Sequence, residues 1–498
     1  MVLMFVKAQS NPPFYYCEAP APSPKSYKAL PNHRLALLQV VARHGDRTPI
    51  NTFPVEDVTW NCDLDLYRSV GPERGAQYSE GAFFIPKSDH PFAQGFWEGN
   101  CTTGQLTMLG YEQQRSLGSR LREVYVDGVG FLGRELDPSE VLLRSTDVPR
   151  TQQSAESLLL GLYPARHRPQ GVAVPLWRKP YQIEDMIANK GQCPRVGERK
   201  KQLIASAAYQ QRQQQAAPLR SQLEAVLGTR HLESFSVDFD SYMDNLMCRA
   251  CHGKPLPCTA RGAASEACVT EQMLRQVEVE GDWHYQFLYS DEEFAGLVMG
   301  SFVWDLTSSM RAALNASSSP ARREGGRPKK IEIFGGHDTT VGPLIGLITG
   351  GMPNGKWPPY ASNVVLELWV PDGPDAAQAR SEPVVRVLYN GEAVAVKGCA
   401  GGGANEGCSF SQWQTMAAAF SPDIMKSNCD STISPRPAYV ELPSDVAQGD
   451  IDREFLRFDP ALGWVWTNSL AAVGGVITLV MGFLLNRVLF KPDAKREE

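Results

Sequence analysis

The chain has no long run of basic residues, no internal repeat and only one C-x-x-C pair. Charged residues make up 21% of its 498 positions and leave a net charge of −6. A protein that binds polyanions normally presents a basic face, so nucleic acid is not an expected partner. The glycine run at 401–403 also lacks the Gly-Lys-Ser/Thr sequence that completes a nucleotide-binding loop. A chain of this length and balanced charge can bury a large core.

What the chain does contain is the string RHGDRTP at 43–49, directly after the apolar run at 35–41. Arg43 and Arg47 can each offer paired N–H donors to phosphoryl oxygens, and Gly45 lets the backbone approach closely. The imidazole of His44 lies between them and is a candidate nucleophile. The string therefore predicts a phosphate site in a loop that ends a strand.

Two further polar clusters follow predicted strands. The segment 139–143 leads into Arg144 and the string RSTDVPRT, and the segment 330–334 leads into His337 and Asp338. Open α/β sheets bind ligands where strands end and helices begin, so the clusters are expected to meet. Arg144 is then the predicted third cation and Asp338 the predicted proton donor. The alternatives are a surface charge at Arg144 and a helix N-cap at Asp338.

These strings, with the segment 104–125 between them, resemble the histidine acid phosphatase family, the acid phosphatase branch of the histidine phosphatase superfamily. The resemblance spans about residues 33–400. It implies an α/β fold with a three-layer, phosphoglycerate-mutase-like sheet, helices on both faces and an inserted mainly helical lobe.

The resemblance also implies a role for each site residue. His44 is the implied nucleophile that forms a phosphohistidine, and Asp338 the acid that protonates the leaving alkoxide. The other implied contacts to the phosphoryl group are made by substrate-binding residues, namely Arg43, Arg47, Arg144 and His337. No cofactor and no metal is implied, because arginines supply the positive charge. A protonated Asp338 would favour acidic conditions.

The chain divides into regions by composition. Prolines make residues 1–30 an extended N-terminal arm, and residues 31–455 form the predicted catalytic region. Within it, 180–290 shows no convincing strand pattern and is the predicted inserted helical lobe. Apolar residues at helical spacing predict helices over 107–125 and from Phe294 to Leu314.

Eleven cysteines leave at least one unpaired if the others form disulfides. The string from Cys248 to His252 matches the haem-attachment pattern C-x-x-C-H, and with Cys258 and Cys268 it is also compatible with a zinc cluster. A disulfide-stapled lobe in an oxidising compartment explains the same residues and is favoured. The segment 244–258 also resembles the family branch that removes phosphate from xylose, the 2-phosphoxylose phosphatase-like subgroup.

Residues 464–485 contain no charge and are long enough to cross a hydrocarbon core as a helix. Trp464 and Trp466 mark one interface, and a short basic tail at 486–498 follows the other end. The sequence therefore predicts a single-pass membrane protein with a cytosolic tail and a luminal or extracellular catalytic domain. N-glycosylation sequons at Asn100 and Asn315 agree with this topology.

The N-terminal sequence conflicts with that topology. Only six apolar residues, Met1–Val6, precede Lys7, which is too short for a signal-peptide core. Either the start is incomplete, or the chain is inserted by its tail with the enzyme left in the cytosol. The luminal arrangement is the one we expect.

The leading functional hypothesis is a membrane-anchored acid phosphatase that takes a phosphomonoester as its substrate. One alternative is a phosphosugar phosphatase of the same family, acting on xylose linkers. The others are a mutase, since the superfamily shares the RHG nucleophile, and a non-catalytic membrane protein that retains the fold. The sequence leaves the physiological substrate and the oligomeric state open.

Overall fold

The computed structural model describes eight ranges of the chain, which are residues 14–54, 56–62, 99–169, 173–259, 267–318, 329–372, 382–399 and 403–429. No helix within these ranges is both long enough and apolar enough to cross a membrane. The predicted membrane span at 464–485 and the basic tail lie outside the described residues.

A mixed sheet occupies the centre of the described structure. Long, continuously apolar strands form where both faces of a sheet are covered, and the strand over the run at 35–41 is of this kind. The strands are β1 (His33–Arg43), β2 (Val141–Ser145), β3 (Leu176–Trp177), β4 (Ile331–Gly336), β5 (Asn363–Pro371), β6 (Val384–Tyr389), β7 (Glu392–Val394) and β8 (Cys408–Ser409). Their order is β3-β2-β4-β1-β5-β6-β7, with β8 paired to β6.

Helices cover both faces of this sheet. The described α-helices are α1 (Met108–Arg122), α2 (Pro149–Leu162), α3 (Pro194–Ala205), α4 (Ala207–Leu227), α5 (Glu233–Ser236), α6 (Asp240–Cys251), α7 (Glu271–Tyr289), α8 (Glu292–Ser318), α9 (Asp338–Thr349), α10 (Phe410–Ala418) and α11 (Pro422–Asn428). One apolar cluster joins α1 and α2 to the sheet, and a second joins α6 to α9 to it. The predicted α/β class, a mixed sheet with helices, is confirmed.

The strand register brings the polar clusters together. Strands β1 and β2 both run parallel to β4 and flank it, with Arg43 paired to Gly336 and Ser145 to Gly335. Because the three strands end at the same level, the residues that follow them share one edge of the sheet. His44 and His337 are the first residues beyond that edge.

The segment between β3 and β4 is helical, from α3 to α8. Within the predicted lobe, α3 and α4 are separated at Ser206, which adopts an extended conformation and whose side chain accepts a hydrogen bond from the Tyr209 N–H, capping α4. The glycosylation sequon at Asn315 lies near the end of α8, which continues to Ser318.

Ten cysteines form disulfides, which confirms the disulfide interpretation, and the free cysteine among the described residues is the buried Cys248. One bridge ties the N-terminal arm to the end of α6, so the arm from Phe14 onward packs against the catalytic region. The pairs are Cys17–Cys251, Cys62–Cys101, Cys193–Cys429, Cys258–Cys268 and Cys399–Cys408.

Candidate active site

His44 is held with one ring nitrogen engaged. Its Nδ1 lies 2.8 Å from the carbonyl oxygen of Gly45, which assigns the proton to Nδ1 and leaves the lone pair on Nε2. Burial, followed by the charges of Arg150, Arg43 and Arg47, lowers the pKa of His44 well below its ordinary value. The candidate nucleophile is therefore neutral.

Position 45 has no room for a side chain. A Cβ on this residue would lie 2.1 Å from the carbonyl oxygen of Gly110 on α1. The loop after β1 therefore packs directly on the backbone of α1, which fixes the position of His44 relative to the sheet.

Arg43 is fully buried and contacts the candidate acid. Its Nη2 lies 2.9 Å from Oδ2 of Asp338 and donates to the Tyr16 hydroxyl at 2.7 Å. Its Nη1 donates to the carbonyl oxygen of Pro358 at 2.5 Å, and the ring centroid of Tyr360 is 4.4 Å from the guanidinium carbon. The guanidinium is thus fixed by the N-terminal arm and by the loop before β5.

Asp338 is the first residue of α9, and His337 is the N-cap residue. The helix N-cap alternative for Asp338 is therefore wrong. Its Oδ2 also accepts a hydrogen bond from Nε1 of Trp357 at 3.0 Å. Burial alone would raise the pKa of Asp338, but the charge of Arg43, the Trp357 hydrogen bond and the charge of Arg47 outweigh it and lower this pKa to about 2.

Arg47 is held by the helical segment. Its Nη1 donates to Oδ1 of Asp244 on α6 at 2.5 Å and to the carbonyl oxygen of Thr48 at 3.1 Å. The same carboxylate accepts the backbone N–H groups of Ile50 and Asn51 at 2.7 and 2.8 Å. One aspartate from α6 therefore fixes both the arginine and the loop that carries it.

Asp46 makes a second link to the helical segment. Its buried carboxylate contacts Nε2 of His252 and the hydroxyl of Thr107, each at 2.5 Å. Burial disfavours the charged imidazole, but the charge of Asp46 and the hydrogen bond to it raise the pKa of His252 overall. The C-x-x-C-H string therefore supplies a disulfide cysteine and a partner for the RHGDRTP loop.

His337 faces His44, with 5.6 Å between the ring centroids. Its Nε2 is 3.0 Å from the Thr146 hydroxyl, and Arg150 donates to its Nδ1 at 3.4 Å. Burial and then the charge of Arg150 lower the pKa of His337 to about 3. This second histidine is therefore neutral as well.

The third arginine beside His44 is Arg150 and not the predicted Arg144. Arg144 is a strand residue, and its side chain lies over Phe302 of α8, where Nη2 is 2.7 Å from Glu184 and also pairs with Asp185. Side chains alternate along a strand, so Arg144 points to the sheet face covered by α8 and not beyond the strand end. Arg150 lies in the first turn of α2 and is the cation that acts most strongly on His44.

Several site residues escaped the sequence analysis, namely Tyr16, Arg150, Asp244, His252 and Trp357. For Arg150 a signal existed, because it follows Pro149, a residue preferred in the first turn of a helix. For α6 the signal was weaker, an acidic and cysteine pattern at 240, 244 and 248. Nothing local connected the other three to the loop.

The assembled groups can transfer a phosphoryl group. Three guanidiniums surround a neutral imidazole with a free lone pair, and a carboxylate lies beside one of them. The Nε groups of Arg43, Arg47 and Arg150 are buried and have no hydrogen-bond partner among the described residues, so acceptors from an anion would satisfy them. Fold and site together suit an α/β phosphoryl-transfer protein, with the His44 imidazole as the candidate nucleophile.

Comparison with known proteins supports that class. Residues 34–390 match the model of the histidine phosphatase superfamily (branch 2), and the chain belongs to this family. Counting factor 60 of Dictyostelium discoideum is 32% identical over 78% of this chain and 87% of that protein. Human lysophosphatidic acid phosphatase type 6 is 28% identical over 74% of this chain and 80% of that protein.

The resemblance to acid phosphatases that the motifs predict is confirmed. The predicted enzyme class, a hydrolase of phosphoric monoesters, is confirmed as well, because relatives of this chain are phosphatases. Mouse 2-phosphoxylose phosphatase 1 is 25% identical over 76% of this chain and 75% of that protein. Among solved structures, the phytase of Hafnia alvei matches with a TM-score of 0.52 at 16% identity, covering 80% of this chain and 99% of that one. At this identity the likeness shows the fold alone.

Proposed function

We propose that the chain is a membrane-anchored acid phosphatase that hydrolyses phosphomonoesters through a phosphohistidine on His44. The observation that carries the proposal is a neutral imidazole with its Nε2 lone pair available, surrounded by three guanidinium groups. Neutral nitrogen attacks phosphorus, and the arginines balance the charge of the three non-bridging oxygens.

In the first step Nε2 of His44 forms a bond to phosphorus while the bond from phosphorus to the ester oxygen breaks. The departing oxygen takes a proton and leaves as the alcohol. In the second step water attacks the phosphohistidine, the phosphorus–nitrogen bond breaks, and inorganic phosphate is released. Arg43, Arg47 and Arg150 hold the phosphoryl oxygens in both steps.

The low pKa of Asp338 favours the substrate as the source of the first proton. With a pKa of about 2, Asp338 is a carboxylate in the free protein at any moderately acidic pH. A phosphate monoester keeps one ionisable proton below about pH 6. The substrate monoanion therefore brings the proton, Asp338 receives it as the phosphoryl group offsets the arginine charges, and the leaving oxygen takes it.

The same carboxylate serves the second step. Once the alcohol has taken the proton, Asp338 is again an anion and can accept a proton from the attacking water. The acidic preference then arises from the substrate and not from a raised pKa of Asp338. Turnover is expected to fall as pH rises through about 6.

Hydrolysis of aryl and alkyl phosphates between about pH 4 and pH 8 tests the proposal. The parent chain is expected to hydrolyse both kinds of ester. Asp338→Ala is expected to lose most of its rate with alkyl esters, which need protonation to leave, and less with nitrophenyl phosphate. Equal losses for both leaving groups would contradict the acid role.

We also propose that residues 464–485 anchor the enzyme in a membrane with the catalytic domain luminal or extracellular. The uncharged span, its flanking tryptophans and the basic tail support this, and so do the disulfides, which persist in oxidising compartments. Protease added to sealed vesicles should leave the catalytic domain intact and remove the tail. Digestion of the catalytic domain from the cytosolic side would overturn the topology.

A further inference from the structure

The helix α6 carries a row of side chains that leads away from the phosphate site. Residues 240, 244 and 248 are spaced by four and share one face of the helix, about 6 Å apart along its axis. Cys248 is fully buried, with its Sγ 3.2 Å from the Tyr360 hydroxyl, and Asp244 binds Arg47. Exposure of the side chains rises from 8% at Asp244 to 33% at Asp240. The row therefore runs from the buried phosphate site towards solvent.

Asp240 begins α6 and is partly exposed. Although 33% of its side chain is exposed, burial is the largest cause that raises its pKa well above the ordinary value, followed by the charge of Asp238. We call the partly enclosed space between Asp240 on α6 and His284 on α7 the recess. The charge of Asp338 also contributes to this rise, so the recess and the candidate acid are within electrostatic range of each other.

The opposite wall of the recess is α7, which also approaches Asp338. Tyr285 on this helix stacks on Trp357 with 3.7 Å between ring centroids, and Trp357 donates to Asp338. The neighbouring His284 is only 2% exposed. Helices α6 and α7 thus bracket the side of the site on which the proton is delivered, and the leaving alcohol departs on that side.

His284, Asp238 and Asp240 lie close together there, but the histidine forms no hydrogen bond of ordinary length with either carboxylate. Its Nδ1 is 3.6 Å from Oδ1 of Asp240 and 3.9 Å from Oδ2 of Asp238, beyond ordinary hydrogen-bond length, and 3.4 Å from the Tyr209 hydroxyl. Within the described part of the chain, the buried Asp240 Oδ1 and His284 Nε2 have no hydrogen-bond partner. Such groups are rare in a finished interior and suit a site that receives a ligand.

The chemistry of this cluster selects its ligand. Burial lowers the pKa of His284 to about 4, so the ring is neutral at higher pH, and Lys200 on α3 is the cation whose charge acts on both His284 and Asp240. The cluster offers mainly acceptor oxygens, and it carries more negative charge once Asp240, whose pKa is raised, has lost its proton. Hydroxyl or ammonium protons suit those oxygens, whereas a second anion beside Asp238 and Asp240 would be repelled.

Building on the proposed phosphatase function, we propose that Asp238, Asp240 and His284 form the leaving-group subsite. It accepts hydrogen bonds from hydroxyl or ammonium groups of the alcohol and disfavours alcohols that carry a further negative charge. The substrate class is then the phosphomonoesters of polyols and amino alcohols, and polyphosphorylated or carboxylated alcohols are poor substrates.

Competition between esters of matched length tests this subsite. The parent chain should show kcat/KM for glycerol phosphate and for aminopropyl phosphate at least about tenfold above that for phosphoglycerate, a difference of about 1.4 kcal/mol. The ratio is compared at the upper end of the working pH range, where Asp240 has lost its proton most fully. There Asp240→Asn should reduce the ratio severalfold, and Asp240→Glu, which keeps the carboxylate, should retain it. Because each ratio is measured within one variant, differences in the amount of folded protein cancel.

Glu271→Gln is the matched control, since it removes an exposed carboxylate from the same helix as His284 and should leave every ratio unchanged. An unchanged ratio in Asp240→Asn would overturn the subsite. Loss of the ratio in the EDTA-treated parent chain, with recovery on adding Zn²⁺, would also overturn it, because the three ligand atoms lie within 4.8 Å of one another and would then hold a metal ion instead. Failure of the parent chain to hydrolyse nitrophenyl phosphate would instead reject the phosphatase function itself.

Discussion

The two halves of the candidate active site are positioned by different means. Arg43, His44 and His337 follow the parallel strands β1 and β4, whose register fixes them through backbone pairing. Asp244 lies on helix α6 and His252 directly follows that helix, and both hold the same loop through side-chain ion pairs. The sheet half therefore supplies the reacting groups, and the helical half keeps the cationic loop in place.

The two halves also differ in charge. The strand ends and the first turn of α2 contribute the three arginines. The helical segment contributes Asp244, which pairs with Arg47, whereas the partner of Arg43 is Asp338 of the sheet half. This division predicts that substitutions in the sheet half reduce chemistry most, and that substitutions in the helical half reduce stability or selectivity first.

The largest expected effect is that of His44→Ala. Without the nucleophile no phosphohistidine can form, and we expect turnover to fall by about 10⁴-fold or more. Hydrolysis of nitrophenyl phosphate measures it, and His231→Ala, at an exposed histidine, serves as the control. Undiminished turnover in His44→Ala would remove the sheet half from the chemistry.

A pair of arginine variants separates chemistry from folding within one segment. Arg150→Met should lower kcat/KM by about 10³-fold, because a cation that contacts the transferring phosphoryl group is lost. Arg144→Met should instead lower the free energy of unfolding by about 3–5 kcal/mol, because it leaves Glu184 and Asp185 without their arginine partner. Kinetics and denaturant unfolding of both variants check these two predictions. The reverse pattern would assign the contact with the phosphoryl group to Arg144 and not to Arg150.

Asp244→Asn tests the helical half. Loss of the carboxylate leaves Arg47 buried without its counter-charge, which should lower the free energy of unfolding by about 3 kcal/mol. Inorganic phosphate should recover part of this loss by binding Arg47, so it should raise the melting temperature more in the variant than in the parent chain. Asp147→Asn is the control, since its ion pair with Arg178 is exposed. Equal phosphate effects in Asp244→Asn and the parent chain would contradict the assigned role.

The smallest expected effect is that of Trp357→Phe. This change removes one hydrogen bond to the Asp338 carboxylate and should raise the pKa of that carboxyl, now about 2, by about one unit. The low-pH limb of the kcat/KM profile should move up by the same amount. Trp177→Phe, at an exposed tryptophan, should leave the limb in place. If the low-pH limb of the kcat/KM profile does not move in Trp357→Phe, the indole hydrogen bond does not stabilise the Asp338 carboxylate.

The sheet half could be predicted because its residues are contiguous in sequence. A strand that ends in RHGDRTP places Arg43 and His44 at a sheet edge whatever the rest of the chain does, and His337 follows from the same rule. The error at Arg144 arose at the boundary between strand and helix. A difference of six residues there decides whether an arginine lies on the sheet face or in the first turn of the next helix.

The helical half could not be predicted, because its contacts join distant residues without a local pattern. Asp244 lies 197 residues from Arg47, and His252 lies 206 residues from Asp46. Tyr16 lies in an arm whose prolines indicate only an extended chain, and the disulfide between Cys17 and Cys251 is what brings it to Arg43. Packing of α6 and α7, which one sequence does not specify, decides these positions.

The most direct test of the central claim is to stop the reaction and locate the covalent phosphate. Asp338→Ala mixed with nitrophenyl phosphate and quenched in base should carry an acid-labile phosphoryl group on His44, since the leaving group needs little protonation and water attack is slowed. Mass spectrometry of the peptide that contains residues 43–49 would find it. Two results would contradict a phosphohistidine on His44. One is covalent phosphate on another residue, and the other is a burst of nitrophenol with no covalent phosphate on the protein.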